Sequence, residues 1–209
     1  MQRSARAQAR RKQIVEAAYK LFGEKGYHAT SIADVADALS IGHGTVYRYF
    51  KDKRDVFEAV VDHVSARIRG SLSLYEPNTA QTFADLRVQL TQIATILIGT
   101  IMRDKHLQRI VFEEVPSVDR KLEERLKSAF QACTAVTERL VQHGMRRRFL
   151  RPTLDSELTA LAINAVIFEG GRWMVRGNRS HREQVAWTDT LLPGLVLDGL
   201  RHRPGEHAR

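Results

Sequence analysis

Along almost the whole chain, apolar residues recur three and four positions apart, and no stretch alternates convincingly with the period of two expected of a strand. The pattern predicts an all-α protein without internal repeats. A first helix over about 4–24 gathers Ile14, Ala17, Leu21 and Phe22 on one face, with Gly26 just beyond its end. Ile32, Val35, Ala36 and Leu39 predict a short second helix, N-capped by either Thr30 or Ser31. Ser40-Ile41-Gly42 reads as a turn, with Ile41 plugging the space between two helices. A third helix is expected over about 43–50, with Gly42 as its N-cap. Val46 and Phe50, four apart, would face inward, leaving His43, Thr45, Arg48 and Tyr49 outward and Tyr47 at the boundary. A fourth helix over about 52–69 presents Val56, Phe57, Val60, Val61 and Val64. The stretch 70–79, containing Pro77, then breaks the pattern and divides the chain into residues 1–69 and 70–209.

Beyond that break, Phe83, Leu86, Leu90, Ile93, Leu97 and Ile101 follow helical spacing, as do Leu107, Ile110 and Val111. After Pro116 a long helix presents Leu122, Leu126, Phe130, Cys133 and Leu140, and is expected to stop near Gly144. Arg151-Pro152 makes a turn, and either Thr153 or Asp155 caps the next helix. That helix has two apolar faces, one with Leu158, Leu161, Ala165 and Phe168, the other with Ile163, Ile167, Gly171 and Met174. A helix apolar on two sides needs two partners. A last helical segment, about 182–201, carries Val185, Leu192, Leu195, Val196 and Leu200; Pro193 either kinks it or starts a fresh turn.

Residues 30–53 carry the chemistry. Two short helices around a turn, the second bearing small, hydroxyl, aromatic and basic side chains, suit a helix laid in the major groove of DNA. Charge supports this. Residues 1–69 hold 13 Lys and Arg against 8 Asp and Glu, a net +5, while the other 140 residues carry only +4 of the total +9. The higher density at the first domain fits a polyanionic partner. Arg3, Arg6, Arg10, Arg11 and Lys12 run straight into a good helix and read as a basic arm rather than a transit peptide. No apolar run approaches the roughly 20 residues of a membrane span, and a cytoplasmic protein without membrane contact is expected. The single cysteine, Cys133, falls on the apolar face of its helix and reads as a small buried hydrophobe before a redox group. Neither metal spacing, nucleophile elbow, Walker loop nor dinucleotide fingerprint occurs, so no enzyme, cofactor or metal site is expected.

Thr30-Ser31-Ile32, Val35-Ala36, Gly44-Thr45-Val46-Tyr47, Tyr49-Phe50 and Lys53 stand in the order and spacing of the tetracycline-repressor (TetR) family of bacterial transcription regulators, which this chain strongly resembles. The likeness by motif covers about the first quarter of the chain. Two positions depart from the family: Ser40 stands where a turn glycine is usual, and Gly42 where a serine precedes the recognition helix. The resemblance implies an N-terminal three-helix helix-turn-helix domain and a larger C-terminal helical domain that binds a small-molecule effector and dimerises.

On this reading the two recognition helices of a homodimer enter successive major-groove segments of a palindromic operator in double-stranded DNA. His43, Thr45 and Arg48 are assigned to base edges, Arg48 to guanine. Ser31, Tyr47, Tyr49 and Lys53 are assigned to phosphates, and Gly44 to close approach of its backbone amide. The alternatives are a core tyrosine at Tyr47 and a solvated charge at Lys53. The last two helices are implied to form the dimer interface through Ile163, Ile167, Gly171, Met174, Leu192, Leu195 and Val196, with Arg172 and Trp173 at that interface or in the pocket. Ile93, Leu97, Met102, Phe112, Phe130, Phe168 and Trp173 are candidate pocket lining for an effector of unknown identity. The most direct reading is a repressor released by that effector. The alternative is a protein that binds or bridges DNA without sequence preference.

Overall fold

Gly26, at φ +89°, takes the left-handed conformation that ends helix α1 (Gln2–Lys25), its amide reaching back to the Phe22 carbonyl at 3.0 Å. The computed structural model describes residues 2–73, 75–76, 79–177, 179–187, 194 and 198–202. After α1 follow α2 (Ile32–Ala38), α3 (His43–Tyr47), α4 (Lys53–Ser71), α5 (Phe83–Met102) and α6 (Lys105–Arg109). A π-helical turn (Ile110–Glu114) and α7 (Val115–Val118) lead to α8 (Arg120–Arg146), α9 (Ser156–Arg176), α10 (His181–Ala186) and α11 (Asp198–Leu200). The expected all-α class holds: among the described residues, the one strand-like feature is an isolated antiparallel bridge between Leu150 and Arg201. No described helix is long and apolar enough to cross a membrane.

The chain divides into two compact units, Met1–Arg67 with Asp104–Ala129, and Ile68–Arg103 with Phe130–Arg209. The cut at 67/68 lies inside α4, close to the division expected at 69/70. However, Asp104–Ala129, assigned by sequence to the second domain, packs with the first. Its polar anchors explain why. Asp104 accepts from Tyr19 Oη at 2.6 Å and Arg67 at 2.8 Å, Arg109 donates to the Glu24 carbonyl at 2.6 Å, and Asp119 pairs with Arg54 at 2.7 Å. Burial alone would raise Asp104, but the bonds from Tyr19 and Arg67 outweigh it and hold the carboxyl below its ordinary value. Leu107, Ile110 and Val115 add fully buried apolar surface. Glu114, itself buried, accepts the Tyr27 amide at 2.7 Å and Arg109 Nε at 2.9 Å.

In the second unit α5 buries Leu86, Leu90, Ile93 and Leu97, and α8 buries Cys133, Val136 and Leu140. Cys133 Sγ lies 3.8 Å from the Ile68 carbonyl, and burial pushes the thiol up to about 11, so it stays protonated and unreactive. The two apolar faces of α9 resolve in a way that corrects the expected dimer interface. Ile163, Ile167, Gly171 and Met174 are buried within the chain, alongside Ala160 and Gly170. Gly170 lies so close against the Trp187 indole that a Cβ would overlap it. The outward face is the other one, with Leu158 63% exposed, Leu161 53%, Trp173 45%, and Val166 beside them. Leu192, Leu195, Val196 and Pro193 lie outside the described residues.

Candidate nucleic-acid interface

Helix α2 starts at Ser31, whose hydroxyl accepts the Asp34 amide at 3.1 Å while Asp34 accepts the Ser31 amide at 2.8 Å. This reciprocal cap satisfies two orphan amides. The Ser31 hydroxyl and Lys25, 2.9 Å away, hold Asp34 well below the usual carboxylate range. Thr30 is not the cap; it is buried, and its hydroxyl donates to the Gly26 carbonyl at 2.7 Å. The turn after α2 uses Ser40 at φ +52°, the left-handed conformation usually filled by glycine in the resembled family, and the Ile41 amide returns to the Ala36 carbonyl at 3.0 Å.

Helix α3 is shorter than expected, ending at Tyr47 rather than Phe50. The Tyr49 and Phe50 amides converge on a single acceptor, the Val46 carbonyl, at 2.9 and 3.1 Å, so the last residues form a turn instead of another helical step. Facing is nevertheless as expected. Val46 and Phe50 are buried and anchor the segment. His43, Gly44 and Arg48 are exposed, Thr45 and Tyr49 half-buried. Tyr47 is 56% exposed, which disfavours the core-tyrosine alternative. Gly42 caps α3 in extended conformation without a side-chain bond, and a Cβ on Gly42 or Gly44 would meet no atom within 4 Å.

An open groove of about 530 Å³ brings together Ser31, His43, Tyr47 and Lys53, with His28 and Asp52 on its walls. Thr45, Arg48 and Tyr49 do not line it. Lys53 is neither a free surface charge nor wholly available to a phosphate: its ammonium donates to the Tyr27 and His28 carbonyls at 3.0 and 3.4 Å and sits 4.5 Å from the Tyr27 ring centroid. The Ser31 hydroxyl is likewise engaged by the cap. Arg48 holds no carboxylate among the described residues, and His43 meets only Asp37, at 4.0 Å with both side chains exposed. Sequence reasoning passed over His28, and read Arg11 as part of the basic arm without placing its guanidinium, which lies 4.8 Å from the Phe50 ring centroid. The basic run at the start of α1 was the available signal for Arg11; nothing local distinguishes His28.

The candidate pocket residues do not gather into one lining. Phe112 belongs to the first unit and the other six to the second. Phe130 and Phe168 stack edge-on at 4.7 Å, Ile93 and Leu97 are ordinary core, and Met102 is half-buried. Trp173 is exposed under the Arg179 guanidinium at 4.3 Å. An open groove of about 590 Å³ along α5 is lined instead by Tyr75, Arg87, Val88, Thr91 and Ile96 among others. No cluster of His, Cys, Asp or Glu able to hold a metal occurs among the described residues.

Comparison with known proteins agrees with this geometry. Residues 14–60 match the family model described as bacterial regulatory proteins, tetR family. A transcriptional activator named FasR from Mycolicibacterium smegmatis is 24% identical over 199 residues, covering 93% of this chain and 84% of the relative. A putative TetR-family transcriptional regulator from Mesorhizobium loti superposes with a TM-score of 0.73 at 22% identity, covering 94% of this chain and 98% of that one. The transcriptional regulator FadR from Bacillus subtilis, solved in complex with stearoyl-CoA, gives 0.72 at 19% identity over 88% and 97%. The match over residues 14–60 identifies a helix-turn-helix of the TetR family, and together with the shared fold it supports a TetR-family transcription regulator.

Proposed function

We propose that this chain is a homodimeric, sequence-specific repressor that reads a palindromic operator through two copies of α3 and leaves it when a small molecule binds the helical domain. The observation that carries the reading is the pair of opposed faces on the α3 segment. Val46 and Phe50 are locked into the core while His43, Gly44 and Arg48 stand clear of it and Thr45 lies half-buried between them. A base-reading segment needs this division, since side chains must be held rigidly yet remain free of partners. Arg48 reads guanine, His43 and Thr45 meet neighbouring base edges, and Tyr47 and Tyr49 bond phosphates. Ser31 and Lys53 contribute to phosphate contact by fixing the ends of α2 and α4, given their internal bonds.

The first unit, with its helix-turn-helix within residues 1–69, serves DNA binding, and the second unit, residues 68–103 and 130–209, serves effector binding and dimerisation. A second copy of the chain covers the outward face of α9, because one recognition segment alone offers too few base contacts for specificity. A small-molecule effector is supported by the stearoyl-CoA held by the Bacillus subtilis structure and by the choline held by a similar regulator from Saccharomonospora viridis. Such a ligand acts by binding more tightly to a dimer whose recognition helices are wrongly spaced. A cytoplasmic location goes with this role.

Selection of bound fragments from random DNA at physiological salt, followed by sequencing, tests the proposal. A recovered palindrome is expected, bound about a thousandfold or more tighter than unrelated duplex. Recovery without any motif would overturn specific regulation in favour of sequence-independent binding.

A further inference from the structure

The first unit sorts its arginines into two populations. Arg54, Arg67, Arg109, Arg120 and Arg125 each hold a carboxylate: Asp119 at 2.7 Å, Asp104 at 2.8 Å, Glu114 at 2.9 Å, Glu124 at 3.1 Å and Asp62 at 2.7 Å. Arg6, Arg10, Arg11 and Arg48 hold none among the described residues. Arg48 belongs to the recognition segment. The other three lie on the first half of α1, ahead of its first buried residue, Ile14. From Ser4 to Gln13 no side chain of α1 is buried. At 1.5 Å per residue this is about 15 Å of helix standing outside the core. Glu16 is the first carboxylate along it, and that one pairs with Lys12 at 3.7 Å.

By itself this stretch is electrostatically unfavourable. Arg6 and Arg10 are like charges four apart, which weakens an isolated helix. The first turn of α1 has no acidic residue, so the positive end of the helix dipole faces further cations. An ordinary solvated face would intersperse acids, as α8 does with Arg120 and Glu124. A polyanion supplies the missing countercharge, and Arg11 says where it lies. Its guanidinium rests over the Phe50 ring, two residues past Arg48, so the arginine row begins at the end of the recognition segment and continues along α1.

We propose that Arg6, Arg10 and Arg11 form a second DNA contact, holding backbone phosphates of the duplex outside the base pairs read by α3. The inference rests on the assignment of α3 to the major groove. It adds a sequence-independent component, for which the forked guanidinium is well suited.

The test uses the full chain carrying Arg6→Gln and Arg10→Gln, changes at one exposed and one half-buried position that keep helix-forming residues and spare Arg11 and its packing. Salt dependence of binding is measured on the selected operator and on an unrelated duplex. Each lost phosphate contact removes about 0.9 from the slope of log affinity against log salt, so about 1.8 per protomer is expected. Affinity should fall at least tenfold on both duplexes, with the preferred sequence and the thermal midpoint unchanged. If wild type binds its operator and the variant shows the same slope and affinity, the row is a solvated face and the proposal fails. Loss of binding only to vesicles of phosphatidylserine, with the DNA slope intact, would also overturn it in favour of a lipid surface. A wild-type chain that binds no duplex would instead sink the assignment of α3, and with it this contact.

Discussion

At φ +52°, Ser40 bears a side chain where the backbone favours its absence, and the bond from the Ile41 amide to the Ala36 carbonyl holds it there. Ser40→Gly should therefore stabilise the protein by about 1 kcal/mol, the ordinary cost of a left-handed non-glycine residue. A urea titration checks this; an unchanged or lower midpoint would mean that the serine side chain repays its strain. Gly44 separates folding from function in the opposite sense. Open space surrounds its missing Cβ, and alanine favours a helix by about 1 kcal/mol over glycine. Gly44→Ala should raise stability while lowering operator affinity tenfold or more, because the added methyl stands between the backbone and the DNA. Unchanged affinity would remove Gly44 from the interface. His63 supplies a pH signature. Burial lowers its imidazole from the ordinary value, reinforced by Arg67, with Glu16 and Asp104 opposing. A histidine neutral in the fold and more basic when unfolded contributes stability that is complete above about pH 6.5 and declines as pH falls below it. His63→Leu should flatten the fall in thermal midpoint between pH 6.5 and 5; an equally steep fall would place the effect elsewhere.

At the scale of elements, the π-helical turn at Ile110–Glu114 matters because it aims a buried carboxylate at the turn after α1. Glu114 spans the Tyr27 amide and Arg109, so Glu114→Gln leaves the guanidinium with only the more distant, exposed Glu113 carboxylate at 3.8 Å. A loss of about 2 kcal/mol is expected in chemical unfolding, below the cost for a fully buried pair because Arg109 is partly exposed. A change within error would show that Arg109 finds water instead. This turn was invisible in the sequence. Leu107, Ile110 and Val111 announce a helix, but nothing in their spacing distinguishes a π turn or names α1 as the partner. Local periodicity was enough for α1, α2, α4, α5 and α8, where apolar stripes and caps sit together. It overran α3 by three residues, since Val46 and Phe50 keep helical spacing even though the chain turns after Tyr47. For α9 it found both apolar faces and chose the wrong one for the outside. Leucines and isoleucines of equal hydropathy do not reveal which stripe a distant residue such as Trp187 will meet. The candidate DNA residues were legible because recognition chemistry is local; the engagement of Lys53 by two carbonyls about 25 residues away was not.

For the molecule as a whole, the α9 correction determines how dimerisation should be probed. Leu158, Leu161, Val166 and Trp173 leave a row of large apolar side chains in water along one helix, bordered by an open groove of about 460 Å³ that reaches Leu200. Contiguous apolar surface of this kind commonly marks an interface. A stable pairing buries about 1,200–2,000 Å² in total, more than one helix face supplies, so flanking elements must contribute. Leu161→Glu is expected to give a folded monomer in sedimentation, with the helical spectrum intact, because the carboxylate remains in water once the partner leaves. Ile163→Glu, two residues away on the buried face, should unfold the second unit, since a charge there has neither solvent nor partner. The monomer should lose operator affinity by a hundredfold or more, binding each half-site independently and with a shallower dependence on protein concentration. A Leu161→Glu protein that remains a dimer and binds normally would place the two-fold contact away from α9, and the exposed leucines would then need another occupant.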